Sequence, residues 1–365
     1  MLKSILCANP KAQFKAYEKE ISESIVRVLD SGNYILGEEV TNFESEFASY
    51  VGKKYCIGVN SGTDALVLAL KALNIQNGDE VITVSHTAVA TVAAICSVGA
   101  KPVFADVDPE LFTINTDGIL KLVTSATKAI IGVHLYGQPC LIDELVSIAG
   151  QNNLYLIEDC AQSHGARWKG KNVGSFGIVS CFSFYPTKNL GAIGDGGAVL
   201  TDNVELADRI RKLRQYGWDS NKISFEKATV SRLDEIQAAI LRAKLPYLDQ
   251  SNSKRREIAN KYLSDIKNPK VVLPKVHPDS YHVFHLFVIQ VPNRDSVIKL
   301  MNTAGIFPGI HYAFPAHKHP AFKSSDSIHN LPVTNSISQN ILSLPMYPEL
   351  SLFDVDRVIS CINDI

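Results

Sequence analysis

The amino-acid sequence predicts an α/β fold, in which a mostly parallel sheet carries helices on both faces and a smaller α+β domain follows. Two observations lead to this prediction. Short runs rich in Val and Ile alternate with helical segments between residues 54 and 202, which is typical of a parallel sheet buried on both faces. After residue 202 longer helical segments and a strand with period-two character replace this alternation. Because 365 residues suffice for two domains, we expect a large α/β domain over 1–250 and a small α+β domain over 251–365.

Two helices are expected before the first strand of the sheet. Apolar residues recur at helical spacing through the segment 14–32, and Gly32 ends the helix. The residues predicted to share its apolar face are Phe14, Tyr17, Ile21, Ile25, Val28 and Leu29. A second helix is predicted over 38–52.

The alternating region is predicted to build the sheet and its covering helices. The predicted strands are 54–60, 80–85, 101–108, 129–137, 154–160, 180–187 and 196–202. The predicted helices between them are 61–73, 89–99 and 141–153. After the sheet we expect a helix over 204–217, a helical stretch over 233–266 interrupted at Pro246, a strand over 282–291, and helices over 296–305, 336–345 and 355–364.

Composition excludes several classes of protein. Lys and Arg number 36 against 37 Asp and Glu, so the formal net charge of −1 argues against a nucleic-acid binder that relies on bulk positive charge. The sequence has no apolar run of about 18 residues that could span a membrane, and its first residues lack the apolar core of a signal peptide. Seven scattered cysteines without a C-x-x-C pair indicate free thiols. We therefore expect a cytoplasmic protein that binds neither nucleic acid nor membrane.

Polar residues follow two of the predicted strands. Glu158, Asp159 and Gln162 lie at the end of one strand, and Lys188 lies after the next, between Pro186 and a glycine-rich run. The carboxyl ends of the strands face the ligand crevice in a doubly wound sheet. A carboxylate that only caps a turn is the structural alternative for Asp159, but a lysine between apolar and glycine-rich flanks does not fit a solvated helix face.

Together these residues fit the requirements of pyridoxal phosphate. This cofactor needs a lysine amine for a Schiff base and a carboxylate at its pyridine nitrogen. It also needs a phosphate cradle, which the segment 60–63 can supply with free N–H groups at the start of a helix. An ordinary N-cap without a ligand is the structural alternative for that segment. Neither the G-x-G-x-x-G motif of dinucleotide binders nor a P-loop is found at the first strand.

Five motifs in this order resemble the nucleotide-sugar aminotransferases of the DegT/StrS type, a branch of the fold-type I pyridoxal-phosphate enzymes. The motifs are SGTDAL (61–66), VSHTAVAT (84–91), EDCAQSHGA (158–166), SFYPTKNLGAIGDGG (183–197) and SRLDEIQAAIL (231–241). The resemblance extends from about Tyr34 to the C-terminus. The stretches RQYGW and HYAFPAH are most similar to enzymes that aminate C3 of a dTDP-linked 3-keto-6-deoxyhexose.

The resemblance implies roles for nine residues. Lys188 matches the Schiff-base lysine, Asp159 the partner of the pyridine nitrogen, and Gln162 the contact to the ring oxygen. The implied phosphate contacts are Gly62, Thr63 and Ser183, and the implied sugar and diphosphate contacts are Tyr185, His311 and Tyr312. The resemblance further implies glutamate as amino donor, a dTDP-3-amino-3,6-dideoxyhexose as product, pyridoxamine phosphate as the alternate cofactor form, and a homodimer.

Two positions depart from the family pattern. The family has an Asn that reaches the cofactor phosphate of the neighbouring subunit where this chain has Val230, which cannot donate that hydrogen bond. Many members have an aromatic residue that stacks on the cofactor where this chain has Ala88. His86 is a candidate replacement for this ring; a structural histidine is the alternative.

Other functions remain open on the sequence. Amination at C4 of a UDP- or dTDP-linked 4-keto sugar is poorly separated from amination at C3. A pyridoxamine-dependent sugar dehydratase would have histidine in place of Lys188, and a non-catalytic regulator should have lost Lys188 or Asp159. No metal site is predicted, because His311, His317 and His319 have no acidic or thiol partner at ligand spacing.

Overall fold

The computed structural model describes residues 4–322 and 330–365 of the chain. The N-terminal elements are β1 (Ile5–Leu6), α1 (Pro10–Ala16), α2 (Glu18–Ser31) and α3 (Glu38–Val51). The next are β2 (Tyr55–Val59), α4 (Gly62–Ala72), β3 (Glu80–Val84), α5 (Val89–Ser97), β4 (Lys101–Ala105), β5 (Thr127–Val133), α6 (Ile142–Gln151), β6 (Tyr155–Asp159), β7 (Arg167–Trp168), β8 (Lys171–Asn172), β9 (Val179–Ser183), β10 (Gly197–Thr201) and α7 (Val204–Leu213). The last are α8 (Glu235–Lys244), α9 (Leu248–Asp265), β11 (Ser280–Tyr281), β12 (Phe287–Gln290), α10 (Arg294–Thr303), β13 (Ile306–Phe307), α11 (Pro332–Asn340), β14 (Ile341–Leu344) and α12 (Leu352–Asn363).

The central sheet has the strand order β2-β10-β9-β6-β5-β3-β4. Strand β10 runs antiparallel to both of its neighbours, and the other neighbouring pairs are parallel. This arrangement confirms the predicted mostly parallel sheet. Because β5, β6 and β9 are parallel and adjacent, their carboxyl ends meet at one edge of the sheet, where Asp159 and Ser183 lie.

Helices cover both faces of this sheet, as predicted. Alternate residues of β9 enter different apolar cores: Cys181 packs in the core formed with α4 to α7, and Phe182 packs in the core formed with α3 and α8. A third core joins α9, α10 and α12 to the antiparallel pair of β12 and β14. The N-terminal Ile5 packs in this third core, because β1 pairs with β13. The division into domains at residue 250 stays a prediction.

The structure corrects the predicted N-terminal helix. The helix begins at Pro10, after the Asn9 side chain that caps it, and it is interrupted at Tyr17, where the backbone leaves helical geometry. Gly32 ends α2 in the left-handed conformation with φ of 67°, as expected. Leu29 is 53% exposed, so the apolar face is narrower than the spacing predicted.

Two further assignments change in the C-terminal part. The helix predicted over 336–345 ends at Asn340, and β14 follows it directly. All residues of β14 are buried and pair with β12, so strand pairing decided the conformation of a segment whose apolar spacing also suits a helix. The strand predicted over 282–291 is confined to β12. Within the described ranges, no helix combines the length and the apolar composition needed to cross a lipid bilayer.

Candidate active site

A pocket of about 210 Å³ lies where the carboxyl ends of β6 and β9 meet the start of α4. Seven of the ten residues selected from the sequence line it, namely Gly62, Thr63, Asp159, Gln162, Ser183, Tyr185 and Lys188. The other three, His86, His311 and Tyr312, are not among the residues that line it. The motifs of four separate segments thus meet in one cavity.

The start of α4 forms the floor of a small cradle. The Ser61 side chain caps the helix by accepting a hydrogen bond from the backbone N–H of Asp64 at 3.1 Å. A Cβ atom on Gly62 would lie 2.5 Å from the Cβ atom of Ser183, so a side chain at position 62 would fill the gap between the helix and β9. The first N–H groups of a helix lack intrahelical acceptors and attract anions. Gly62, Thr63 and Ser183 therefore offer a site of the right chemistry for a phosphate group.

Asp159 lines the same pocket and is buried, with both oxygens held in place. Its Oδ2 accepts a hydrogen bond from Thr91 Oγ1 at 2.8 Å, and its Oδ1 accepts one from the backbone N–H of Ala161 at 3.1 Å. Burial raises the pKa of Asp159, and these two bonds and the charge of Lys188 oppose the increase. The carboxyl group is thus fixed in orientation and sensitive to any cation placed beside it.

Lys188 lies within electrostatic range of Asp159. Burial lowers the pKa of Lys188 from 10.5 to about 8, although the negative charge of Asp159 acts in the other direction. A lysine with such a pKa has a substantial neutral fraction near pH 8, and the neutral amine is the form that can act as a nucleophile or a base.

The loop that carries Lys188 is anchored on both sides of this residue. The Lys188 N–H donates to the Tyr185 carbonyl at 2.8 Å. The side chain of Asn189 donates to Asn252 Oδ1 at 2.8 Å. The buried Lys244 of α8 donates to the carbonyl of Gly191. These contacts limit the positions that the Lys188 side chain can reach.

Glu158, next to Asp159, faces the other side of the sheet. Its two oxygens accept hydrogen bonds from the backbone N–H groups of Gly174, Phe176 and Gly177, and from Nε2 of His134 at 3.1 Å. The Glu158 carboxylate therefore closes the turn before β9 and does not take part in the pocket. The ligand atoms of His134, Glu158 and Cys160 lie within 4.8 Å of one another. These hydrogen bonds occupy the Glu158 oxygens, and we propose no metal there.

Gln162 connects the pocket with the segment that contains His311 and Tyr312. Its Oε1 accepts a hydrogen bond from the backbone N–H of Tyr136 at 2.7 Å, and its Nε2 donates to Tyr312 Oη at 3.0 Å. Burial raises the pKa of Tyr312 to about 12, so this phenol stays protonated. His311 Nδ1 lies 2.8 Å from Ser343 Oγ, and burial lowers the pKa of His311 to about 4.

The structure does not bring His86 into the pocket. Its ring is fully buried, packs against Phe112 and Tyr136, and lies with Nε2 2.6 Å from Tyr136 Oη. Stacking of His86 on a cofactor therefore has no support in this geometry. Ala88 does line the pocket, without a ring to offer.

A sequence model of the DegT/DnrJ/EryC1/StrS aminotransferase family matches residues 15–363. The chain belongs to this family. It is 48% identical over 347 residues, 95% of each chain, to a dTDP-3-amino-3,6-dideoxy-alpha-D-galactopyranose transaminase of Aneurinibacillus thermoaerophilus. It is 43% identical over 357 residues, 97% of this chain and 94% of the other, to a dTDP-3-amino-3,4,6-trideoxy-alpha-D-glucose transaminase of Streptomyces venezuelae. The solved structure of S. venezuelae DesV, in complex with a ketimine intermediate, superposes with a TM-score of 0.97 at 41% identity and covers 100% of this chain and 98% of that one.

Membership of the DegT/DnrJ/EryC1/StrS family confirms the predicted class of enzyme and its cofactor. The chain is an aminotransferase with the fold-type I architecture, and the cofactor is pyridoxal phosphate. The residues present fit this cofactor on structural grounds. Gly62 leaves room beside Ser183 that a Cβ atom would fill, and the pocket contains both an amine and a buried carboxyl group.

Sequence reasoning missed three residues that belong to this aminotransferase pocket or support it. Thr91 holds Asp159, Asp195 lines the pocket with an exposed carboxyl group, and Tyr136 holds Gln162 through its backbone. Thr91 and Asp195 lie inside motifs that were recognised as a whole, and nothing in their spacing marks them individually. Tyr136 has a φ of 60°, a left-handed backbone conformation that the neighbouring residues in the sequence do not predict.

Proposed function

We propose that this aminotransferase moves the amino group of glutamate to C3 of a dTDP-linked 3-keto-6-deoxyhexose and makes a dTDP-3-amino-3,6-dideoxyhexose. The observation that carries the proposal is the single pocket that joins Lys188, Asp159 and the cradle at Gly62. The choice of C3 and dTDP rests on the two transaminases named above, both of which are named for 3-amino sugars on dTDP.

The residues of the chain divide the work of holding the cofactor. Bound pyridoxal phosphate supplies a carbonyl group that can take up the amino group and a ring that accepts electrons from the substrate carbon. Gly62, Thr63 and Ser183 would hold its phosphate group. Asp159, oriented by Thr91, would supply the negative charge that keeps the pyridine nitrogen protonated. Gln162 would bind the ring oxygen.

Lys188 moves the proton. With a pKa of about 8, its amine is partly neutral near physiological pH and can remove a proton from the carbon atom that bears the amino group. The anchored loop would keep the resulting ammonium beside the reacting atoms, so that the amine can give the proton back. The charge of Asp159 stabilises the protonated amine between these two transfers.

The sugar nucleotide meets the exposed side of the pocket. Tyr185 lines the pocket and is 52% exposed, so its hydroxyl can orient the hexose. His311 is neutral at physiological pH and can only bind the diphosphate as a hydrogen-bond donor, not as a cation. The Tyr312 hydroxyl accepts a hydrogen bond from Gln162 and supports the side of the sugar site that faces the cofactor. Remote contacts to the nucleotide would supply binding energy that positions the keto carbon.

A second candidate is amination of a UDP-linked 3-keto sugar. A relative from Acidithiobacillus ferrooxidans, 42% identical over 357 residues, is a UDP-N-acetyl-3-dehydro-alpha-D-glucosamine 3-aminotransferase. The position of amination is the same, and the nucleotide and the 2-substituent differ. We prefer the first candidate because both of the more similar relatives named above have dTDP in their names.

We also propose a cytoplasmic homodimer. Apolar side chains at Tyr216, Ile223, Phe225 and Val230 are exposed on one segment, and such a patch fits a subunit interface. A monomer at micromolar concentration in sedimentation experiments would contradict the dimer. Because Val230 replaces the family's interfacial Asn, we expect Val230→Asn to retain the cofactor at least as well as the wild type.

Two experiments test the proposed function. Borohydride reduction of the loaded enzyme should attach the cofactor to the peptide that contains Lys188, and attachment elsewhere would refute the assignment.

The second experiment identifies the keto sugar. Unreduced enzyme is first treated with glutamate until all of its cofactor has taken up the amino group, and samples are then mixed with dTDP-3-keto, dTDP-4-keto or UDP-3-keto sugars separately. Recovery of the original absorbance with the dTDP-3-keto sugar, and release of its 3-amino product, is the expected result. Recovery with the 4-keto sugar alone would reassign the enzyme to C4.

A further inference from the structure

Tyr136 connects three parts of the molecule that are far apart in the sequence. Its backbone N–H donates to Gln162 Oε1 at 2.7 Å, and its hydroxyl donates to the carbonyl of His311. The partner of its hydroxyl is 175 residues away along the chain. One residue therefore contacts both the cofactor-side amide and the segment expected to bind the sugar nucleotide.

The contacts of Gln162 close this connection into a ring of hydrogen-bonded residues. Its Oε1 accepts from Tyr136, so its Nε2 must face the other way, toward Tyr312 Oη at 3.0 Å. Tyr312 follows His311 directly in the chain. The ring thus passes from the Tyr136 backbone through Gln162 to Tyr312, and back through His311 to the Tyr136 hydroxyl.

His86 fixes the orientation of the Tyr136 hydroxyl. The hydroxyl has one proton, which it gives to the His311 carbonyl, so His86 must donate from Nε2 across the 2.6 Å separation. His86 Nδ1 is buried and has no hydrogen-bond partner among the described residues, as suits the unprotonated nitrogen of a neutral ring. Burial also lowers the pKa of His86 to about 4, which keeps the ring neutral at physiological pH.

Phe112 completes the environment of this pair. Its ring lies 5.8 Å from the Tyr136 ring and 6.4 Å from the His86 ring, measured between centroids. Phe112, Tyr136 and His86 are all buried. The Tyr136 ring is therefore held by packing as well as by its hydrogen bonds, and a change confined to its oxygen atom should leave the ring in place.

We propose that Tyr136 is a positioning residue that holds the segment of His311 and Tyr312 against Gln162, with His86 fixing the Tyr136 hydroxyl. This inference rests on the proposed function, because it assigns the keto-sugar nucleotide to that segment. It predicts that the sugar half-reaction depends on the Tyr136 hydroxyl, whereas the glutamate half-reaction does not. Glutamate has no diphosphate and needs no contact with the segment.

Tyr136→Phe removes only the hydroxyl, and Tyr262→Phe is its matched control. Tyr262 is also fully buried, and its hydroxyl also donates to a backbone carbonyl, that of Pro345 at 3.0 Å. This residue packs in the C-terminal core and not in the ring around Gln162. The two variants lose the same kind of hydrogen bond at different places.

The first measurement is hydrogen–deuterium exchange of the full-length, cofactor-loaded enzyme, in a peptide that spans 306–316. We expect Tyr136→Phe to exchange at least about threefold faster there than the wild type, and Tyr262→Phe to match the wild type in that peptide. The second measurement is steady-state kinetics. Tyr136→Phe should raise KM for the sugar nucleotide about tenfold and leave the rate of the glutamate half-reaction within about twofold.

The proposal is overturned if exchange in this peptide is the same in Tyr136→Phe and the wild type, or if both half-reactions slow by the same factor. A wild-type enzyme that aminates none of the keto sugars would refute the proposed function, and the exchange result would still decide the positioning role.

If Tyr136→Phe does not fold, a pair of variants at His86 replaces it. His86→Gln retains a donor toward Tyr136 Oη and should behave as the wild type, whereas His86→Leu should show the faster exchange and the higher KM. Equal behaviour of these two variants would overturn the role given to His86.

Discussion

Replacing Lys188 by Met should stabilise the cofactor-free protein near neutral pH, because the folded chain holds this amine where its charge is unfavourable. Burial lowers the pKa of Lys188 from 10.5 to about 8. The unfolded chain therefore binds more protons than the folded chain between these two pH values, and wild-type stability rises with pH across this window. Below pH 8 the full cost of the buried charge is present.

The magnitude follows from the difference between the two pKa values. At about 1.4 kcal/mol for each pH unit, the cost near pH 7 is at most about 3.5 kcal/mol. Near pH 9.5 the folded amine is already neutral, and the remaining cost is about 1.5 kcal/mol. Removing the lysine also deprives Asp159 of a nearby positive charge, which reduces the gain. Met adds apolar contacts whose contribution to stability does not depend on pH. The change with pH in the stability difference between Lys188→Met and the wild type therefore reports the buried charge of Lys188.

The assay is urea unfolding of cofactor-free wild type and Lys188→Met near pH 7 and near pH 9.5. We expect the advantage of Lys188→Met to shrink by about 1 to 2 kcal/mol between these two conditions. Lys121→Met, at an exposed position, is the control and should show no such change. A stability difference between wild type and Lys188→Met that stays constant with pH would refute the reasoning.

Three further changes test the pocket. Asp159→Asn keeps the shape and removes the charge, so kcat should fall by about a thousandfold or more, and a fall of less than about tenfold would assign the charge to another residue. Thr91→Val removes the donor to Asp159 Oδ2 and should lower kcat about tenfold; unchanged turnover would mean that the Ala161 amide alone orients the carboxylate. Gly62→Ala places a Cβ atom 2.5 Å from that of Ser183 and should weaken cofactor binding at least about tenfold in an absorbance titration. Gly150→Ala, whose added Cβ atom meets nothing within 4 Å, should bind the cofactor normally, and equal weakening in both variants would contradict the cradle.

The sequence by itself determined the class of fold and identified seven of the residues that line the pocket. The period of apolar residues distinguishes strands from helices, so the seven strands of the central sheet could be located from the sequence. The motifs around Gly62, Asp159 and Lys188 each follow a strand or begin a helix, and a parallel sheet gathers such positions at one edge. These are local properties of the chain combined with one general rule of topology.

Only the tertiary structure decided how the residues outside these motifs are used. The segment of β14 has apolar spacing that suits a helix, and its pairing with β12 settled its conformation. Leu29 lies at the helical spacing of its buried neighbours, but its side chain is half exposed because none of the described elements packs over it.

The clearest case is the ring around Gln162. Sequence reasoning placed His86 beside the cofactor and His311 with Tyr312 at the diphosphate, whereas the fold connects all of them through Tyr136. The hydroxyl of Tyr136 and the carbonyl of His311 are 175 residues apart in the chain. Hydrogen bonds between such distant groups depend on where the backbone of each segment is placed to within a fraction of an ångström, and the order of residues carries no local signal of that placement.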